Sequence, residues 1–91
     1  MKREIRITSS FKKDIKKLSN SEISETRSVV LKLQLDLPLE DKYKDHSLEG
    51  KYKNFRECHI RPDLLLIYQK TDNNELHILS LLRINSHSNI F

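Results

Sequence analysis

KYKNFRECHIRPDLLLIYQKTDNNELHILSLLR, residues 51–83, is the stretch whose reading decides the fold. From Lys51 the chain turns strand-like. Phe55, Glu57 and His59 point to one face and Arg56, Cys58 and Ile60 to the other, before Pro62 interrupts pairing. Leu64 to Lys70 is a short, nearly continuous apolar run, the pattern of a central strand. Thr71-Asp72-Asn73-Asn74 supplies turn residues, and Glu75 to Arg83 reads as a last strand. The segment is therefore a three-stranded antiparallel meander, with Ser86 to Phe91 as a short tail.

Working outward, Lys2 to Thr8 alternates charge with Ile5 and Ile7, which predicts a first strand with those two side chains buried. Ser9 and Ser10 can cap a helix whose apolar stripe is Phe11, Ile15 and Leu18. Its other side stacks Lys12 with Lys16 and Lys13 with Lys17. Ser19 and Glu22 have the spacing of a capping box that opens a second helix. Ile23, Val30, Leu33 and Leu37 make its inner face, Val29 and Leu31 widen it, and Pro38 ends it near Asp36. Two helices joined by so short a turn form an antiparallel hairpin. Leu39 to Gly50 has no clean period and reads as an ordered loop.

The sum is an α+β fold: an N-terminal strand, then an antiparallel helical hairpin packed on one face of an antiparallel sheet, all in one domain over residues 1–91. The opposite sheet face is left open for a partner or a substrate.

A second domain is excluded by a length of 91 residues. With 36% hydrophobic and 33% charged residues the chain has enough apolar content for a core and a busy surface, as expected of a soluble domain. No run approaches the roughly 18 apolar residues of a membrane span, and the N-terminus lacks the order of a signal peptide, so a cytoplasmic location is expected. Cys58 is alone and reads as a small core residue. The net charge of +4 has two addresses: residues 1–17 carry seven basic and two acidic side chains, and residues 42–61 carry six and three. Such clustering suits a polyanionic partner, because each phosphate neutralised releases a counterion.

Four residues stand out as candidate chemistry: His46, His59, Asp63 and His87. Imidazoles titrate near neutral pH, and a carboxylate orients one or takes a proton. His59 and Asp63 flank the Ile60-Arg61-Pro62 turn, and His87 follows the last strand, so the set can meet at one end of the sheet. His77, mid-strand in an ordinary segment, reads as structural. Three histidines and an aspartate could in principle hold zinc, but no His-x-His or paired-cysteine spacing prepares such a site, so no metal and no cofactor is expected. Nucleophile elbows, P-loops and dinucleotide fingerprints are absent.

Asp45-His46-Ser47-Leu48-Glu49-Gly50, Phe55 through Asp63, Leu66-Ile67-Tyr68 and Ser86 through Phe91 together resemble the YafQ branch of the RelE/ParE toxin superfamily. The resemblance implies a type II toxin, an endoribonuclease that enters the ribosomal A site, cuts messenger RNA during translation and is silenced by a cognate antitoxin. It implies active-site roles for His46, His59, Asp63 and His87, with Phe91 beside them and Arg56 and Arg83 facing phosphate. In metal-free cleavage the ribose 2′-hydroxyl attacks the adjacent phosphate and leaves a 2′,3′-cyclic end. His46 or His59 would then be the base, Asp63 would orient a histidine or share the proton, and His87 would be the acid. Lys12, Lys13, Lys16 and Lys17 would lie along ribosomal RNA.

This chain departs from the pattern at Asn85, where relatives often carry a glycine that Asn would match by tolerating positive φ, and at Leu64, where they carry an aromatic residue. Two rivals remain at this level. One is a ParE-like toxin that poisons its target by binding, and the other is an RNA-binding module without cleavage.

Overall fold

The computed structural model describes residues 2–73 and 75–91. Strands β1 (Glu4–Ile7), β2 (His46–Ser47), β3 (Arg56–Arg61), β4 (Leu64–Asp72) and β5 (His77–Asn85) form one sheet in the order β1-β5-β4-β3-β2. Helices α1 (Ser9–Ile15) and α2 (Asn20–Gln34) follow β1, and a short helix α3 (His87–Ile90) follows β5. The 51–83 meander is antiparallel as expected, but β1 pairs parallel to β5, so the sheet is mixed. Parallel pairing is available because the helical hairpin and the meander separate the two strands in sequence.

Helix boundaries follow their caps. Thr8 Oγ1 accepts from the Phe11 N–H at 3.0 Å. Ser19 and Glu22 form the capping box: Ser19 Oγ accepts from the Glu22 N–H, and Glu22 Oε1 accepts from the Ser19 N–H at 2.8 Å. At the other end Asp36 adopts φ 57°, and the Leu37 N–H reaches back to Lys32 O at 2.9 Å. This left-handed cap turns the chain out of α2 before Pro38.

The core lies between the hairpin and one sheet face. Phe11, Val29 and Leu33 pack on Cys58, Ile60, Leu64, Leu66, Tyr68, Leu79, Leu81 and Ile84, with Ile15, Leu18 and Val30 at the margin. Each fully buried leucine contributes about 2 kcal/mol of transfer free energy. Thr26 is buried as well, while Leu31 and Leu37 of the expected apolar face are exposed. The α2 stripe is thus narrower than its sequence suggests.

Ile5 and Ile7 are 39% and 47% exposed, which corrects the expectation that they enter the core. They stand in register with Leu79 and Leu81 on the helix side, but β1 is the edge of the sheet and the helices do not cover it. Arg3 is the buried residue there instead, donating to Asp36 at 2.7 Å and to Asp72 at 2.8 Å. His77, read as structural, donates through Nδ1 to the same Asp72 at 2.7 Å.

Two irregularities aim the site. Between β4 and β5 the register moves from Tyr68↔Leu81 to Ile67↔Arg83, leaving Leu82 as an extra residue. Leu81 and Ile84, three apart, therefore both reach the core. A second shift between His59 and Arg61 tightens the β3–β4 hairpin, whose turn is Pro62-Asp63. The far sheet face is only partly open, because Tyr52, Phe55, Ile90 and Phe91 close over Ile67 and Leu82.

Candidate active site

Cross-strand partners share a sheet face, so the register places His46, Glu57, Ile67 and Arg83 in one row on the face away from the helices. His59, two residues after Glu57, joins the same face. His46, expected on a loop, opens β2, the two-residue edge strand. Asp45 holds that strand down. Its carboxylate accepts from Arg56 Nη2 at 3.1 Å and from the Tyr68 hydroxyl. Burial, followed by the Asp45 hydrogen bond, pushes the Tyr68 hydroxyl well above its ordinary value.

Glu57 lies between the two imidazoles. Its side chain is 8% exposed, with Oε2 3.3 Å from His46 Nε2 and Oε1 3.7 Å from His59 Nε2. The rings stand 6.4 Å apart. On its outer side each imidazole meets a backbone carbonyl: His46 Nδ1 donates to Lys44 O at 2.6 Å, and His59 Nδ1 to Pro62 O at 3.3 Å. A carbonyl only accepts, so each Nδ1 carries a proton and each Nε2 is turned toward Glu57. The 3.3 and 3.7 Å contacts put both Nε2 atoms within ion-pair distance of the one carboxylate. Lys44 presents its carbonyl from a left-handed conformation, φ 49°.

The tail forms the other half. Asp63 Oδ1 accepts from the His87 N–H at 3.1 Å, so this carboxylate fixes the start of α3 through its backbone and makes no bond to an imidazole. The His87 ring packs on Phe91 at 5.1 Å, and Phe91 meets Tyr52 edge-on at 5.2 Å. Asn85 has no positive φ, contrary to expectation. Its side chain instead accepts from the Ser86 N–H at 2.8 Å and donates to Asp14 at 3.1 Å. Leu64, the other departure, is a core residue.

Arg83 is anchored by Asp14, whose carboxylate accepts from the guanidinium at 2.7 and 3.1 Å. Burial pushes the Asp14 carboxyl up, but hydrogen bonds from Arg83, the Ile84 N–H and Asn85 outweigh it and hold the group below its ordinary value. Lys13 of α1 and Lys17, two residues past its end, stand with Arg83, Asn85 and Asn89 around a shallow cavity, which links the lysine face to the tail. Lys12 of α1 and Lys16, its C-cap, are exposed.

The structure thus brings His46 and His59 together, and joins Asp63 to His87 and Phe91. Arg56 is not brought to the imidazoles. It lies on the helix-facing side, committed to Asp45 and to the Tyr68 hydroxyl at 3.3 Å. Among the described residues the three histidines and Asp63 do not gather as a metal-ligand set. Glu57, Asp45, Asp14 and Lys44 were missed as site residues. Only Glu57 carried a signal, its place two residues before His59 on the same strand face.

A toxin described as YoeB/ParE from Agrobacterium tumefaciens shares this fold, with TM-score 0.78 over 92% of this chain and 98% of that one at 13% identity. That likeness is one of fold alone, and matches of higher identity fix the family. The description "Bacterial toxin of type II toxin-antitoxin system, YafQ" fits residues 3–91. The chain belongs to the YafQ family of type II toxins. It is 31% identical to the mRNA interferase toxin YafQ of Escherichia coli K12 over 100% of this chain and 98% of that one. A 52-residue match to the putative toxin YafQ of Haemophilus influenzae is 48% identical, and there the chain spans about half of its relative: 57% of this chain and 51% of that one. Among solved structures, the E. coli DinJ–YafQ toxin–antitoxin complex matches with TM-score 0.84 at 31% identity, covering 100% and 99% of the two chains. A metal-bound toxin from Helicobacter pylori matches with TM-score 0.83 at 40% identity, covering both chains fully.

Proposed function

We propose that this protein is a type II toxin that cuts messenger RNA on the translating ribosome and is neutralised by a cognate antitoxin. The observation that carries the reading is the paired imidazoles on Glu57, exposed on the sheet face beside a tail that presents His87 and Phe91. Relatives named mRNA interferases and a relative seen with its antitoxin support it. No described helix is long and apolar enough to cross a membrane, and ribosomes as target make the cytoplasm the place of action.

RNA supplies its own nucleophile, the 2′-hydroxyl next to the scissile phosphate. His46 or His59 takes that proton at Nε2, the nitrogen left unprotonated when Nδ1 donates to its carbonyl, and the Glu57 carboxylate beside Nε2 stabilises the imidazolium that forms. Asp63 sets the position of α3, so that the His87 imidazole can protonate the leaving 5′-oxygen. Phe91 gives an unstacked base an aromatic face. Arg83, kept in place by Asp14, faces the phosphate, and Lys12, Lys13, Lys16 and Lys17 hold ribosomal RNA. Arg56 acts at one remove, by fixing Asp45 and hence β2.

Mapping message 5′ ends in a cell-free translation reaction, with and without a chelator, tests the reading. Discrete cuts that require translation and survive the chelator are expected, together with their loss in His87→Ala at unchanged fold. Intact message on stalled ribosomes would leave a toxin that acts by binding alone.

A further inference from the structure

Next to the imidazole pair lies a cavity of about 430 Å³ that the reaction above does not use. Its walls are Glu25 of α2, the turn Lys42-Tyr43-Lys44, and His59 and Arg61 of the β3–β4 hairpin. We propose that this cavity is a ribonucleotide subsite, seating the message nucleotide beside the scissile phosphate and setting base preference there. The proposal rests on the ribonuclease reading.

The volume falls within the roughly 300–1,000 Å³ of small-ligand sites. Three cations, Lys42, Lys44 and Arg61, line it beside one carboxylate, Glu25; Arg61 is already paired, since Glu25 Oε2 accepts from its Nε at 2.7 Å and Glu22 Oε2 lies 3.8 Å from its Nη1. Arg61 also donates to Ser21 at 3.1 Å, so that wall is clamped to α2. Lys42 has an exposed acid, Glu40, 3.9 Å away, a contact that water screens. What remains for a phosphate is the pair Lys42 and Lys44 beside a partly apolar floor, in which Tyr43 packs against the core and Ile60 belongs to it. Cations around an aromatic ring suit a phosphate carrying an unstacked base.

Two walls are shared with the chemistry. His59 lines the cavity and turns Nε2 toward Glu57. Lys44 lines it too, while its carbonyl accepts from His46 Nδ1 out of a backbone conformation that non-glycine residues rarely adopt. A nucleotide seated here would touch the residues that orient both imidazoles. An acidic protein segment would answer the charge, but would not account for His59 as a wall.

The test maps cut sites for the whole protein in cell-free translation of a message that contains every codon, comparing wild type with Tyr43→Leu and Lys42→Gln. Both variants are expected to keep cutting, with cleavage at favoured codons down about tenfold and preference flattened at one nucleotide position. Profiles within twofold of wild type, or a uniform fall at every codon, would overturn the subsite and leave the ribonuclease reading standing. Wild-type profiles combined with escape from the cognate antitoxin would assign the cavity to that protein, again overturning it. Should wild type make no cuts, both readings fall. Lys42 is exposed, so its variant decides the matter if Tyr43→Leu does not fold.

Discussion

Replacing Asp14 by alanine should cost this protein far more than a helix-surface aspartate would. The carboxylate is 6% exposed and accepts four hydrogen bonds: two from Arg83 at 2.7 and 3.1 Å, one from the Ile84 N–H at 3.1 Å and one from Asn85 at 3.1 Å. Removing one partner of a buried pair costs about 3–5 kcal/mol, and the Ile84 N–H is left without an acceptor. Arg83 is 33% exposed and regains some water, which favours the low end, about 3 kcal/mol. At about 4–8 °C per kcal/mol for a domain of this size, the melting midpoint should fall by about 12–24 °C. Asp14→Asn keeps an acceptor for Ile84 and should lose about half as much. Calorimetry at pH 7 measures both.

The pH dependence of that loss has a definite sign. The folded Asp14 pKa lies below its ordinary value of 3.8, so the unfolded state binds the proton first. Asp14 therefore contributes fully above pH 3.8, and its contribution is lost as pH falls through the lower folded value. Wild type and Asp14→Ala should converge on acidification. A midpoint for Asp14→Ala within about 4 °C of wild type at pH 7 would refute the account, as would purely additive losses for Asp14→Ala and Arg83→Ala in the double variant.

Glu57→Gln keeps the side-chain shape but removes the charge between the imidazoles; single-turnover cleavage should slow about 100-fold with ribosome binding unchanged, and a rate within threefold of wild type would exclude the role given to Glu57. Converting Lys12, Lys13, Lys16 and Lys17 to glutamine should weaken ribosome binding and flatten its salt dependence by about 0.7 in log–log slope for each phosphate no longer neutralised, without a change in melting. An unaltered salt slope would remove RNA binding from α1. Burial, with Asp45 and Glu57 nearby, pushes the Cys58 thiol up to about 12. Alkylation at pH 8 should accordingly follow global unfolding in urea, and rapid labelling of the native protein would contradict its burial.

The meander and the capped α2 were legible because their signals are local: the apolar run after Pro62 and the Ser19–Glu22 spacing; of the turn expected at 71–74, Thr71 and Asp72 still belong to β4 and Asn74 lies outside the described residues. The parallel placement of β1 was not, since alternation in Lys2–Thr8 records a strand but not its neighbour, and an edge strand can leave Ile5 and Ile7 half in water. His46, His59, Asp63 and His87 were singled out as candidates by residue type, yet their linkage was hidden. Asp63 works through a backbone N–H, which no side-chain chemistry advertises. Glu57 looked like the polar member of an alternating strand, and only the two-residue pairing of β2 turns it into the bridge between two imidazoles. For Arg56 the alternation of the strand already gave the face opposite His59, while its phosphate role came from the resemblance alone, and its partners Asp45 and Tyr68 are distant in sequence. Asp14 sat among lysines in a helix and gave no hint that it is buried.

Asp63 grips residue 87 by its main chain, and this divides labour between a mount and a tool. The mount grips the main chain, and the side chain adds only its packing on Phe91. Exchanging His87 for glutamine, lysine or tyrosine should leave α3 held at Asp63, with tyrosine keeping an aromatic ring against Phe91, whereas Asp63→Ala should unseat the tail with its imidazole intact. A lineage, or an engineer, can thus change the reactive group at this position without rebuilding its holder, and a toxin can lose its edge while keeping the shape its antitoxin recognises.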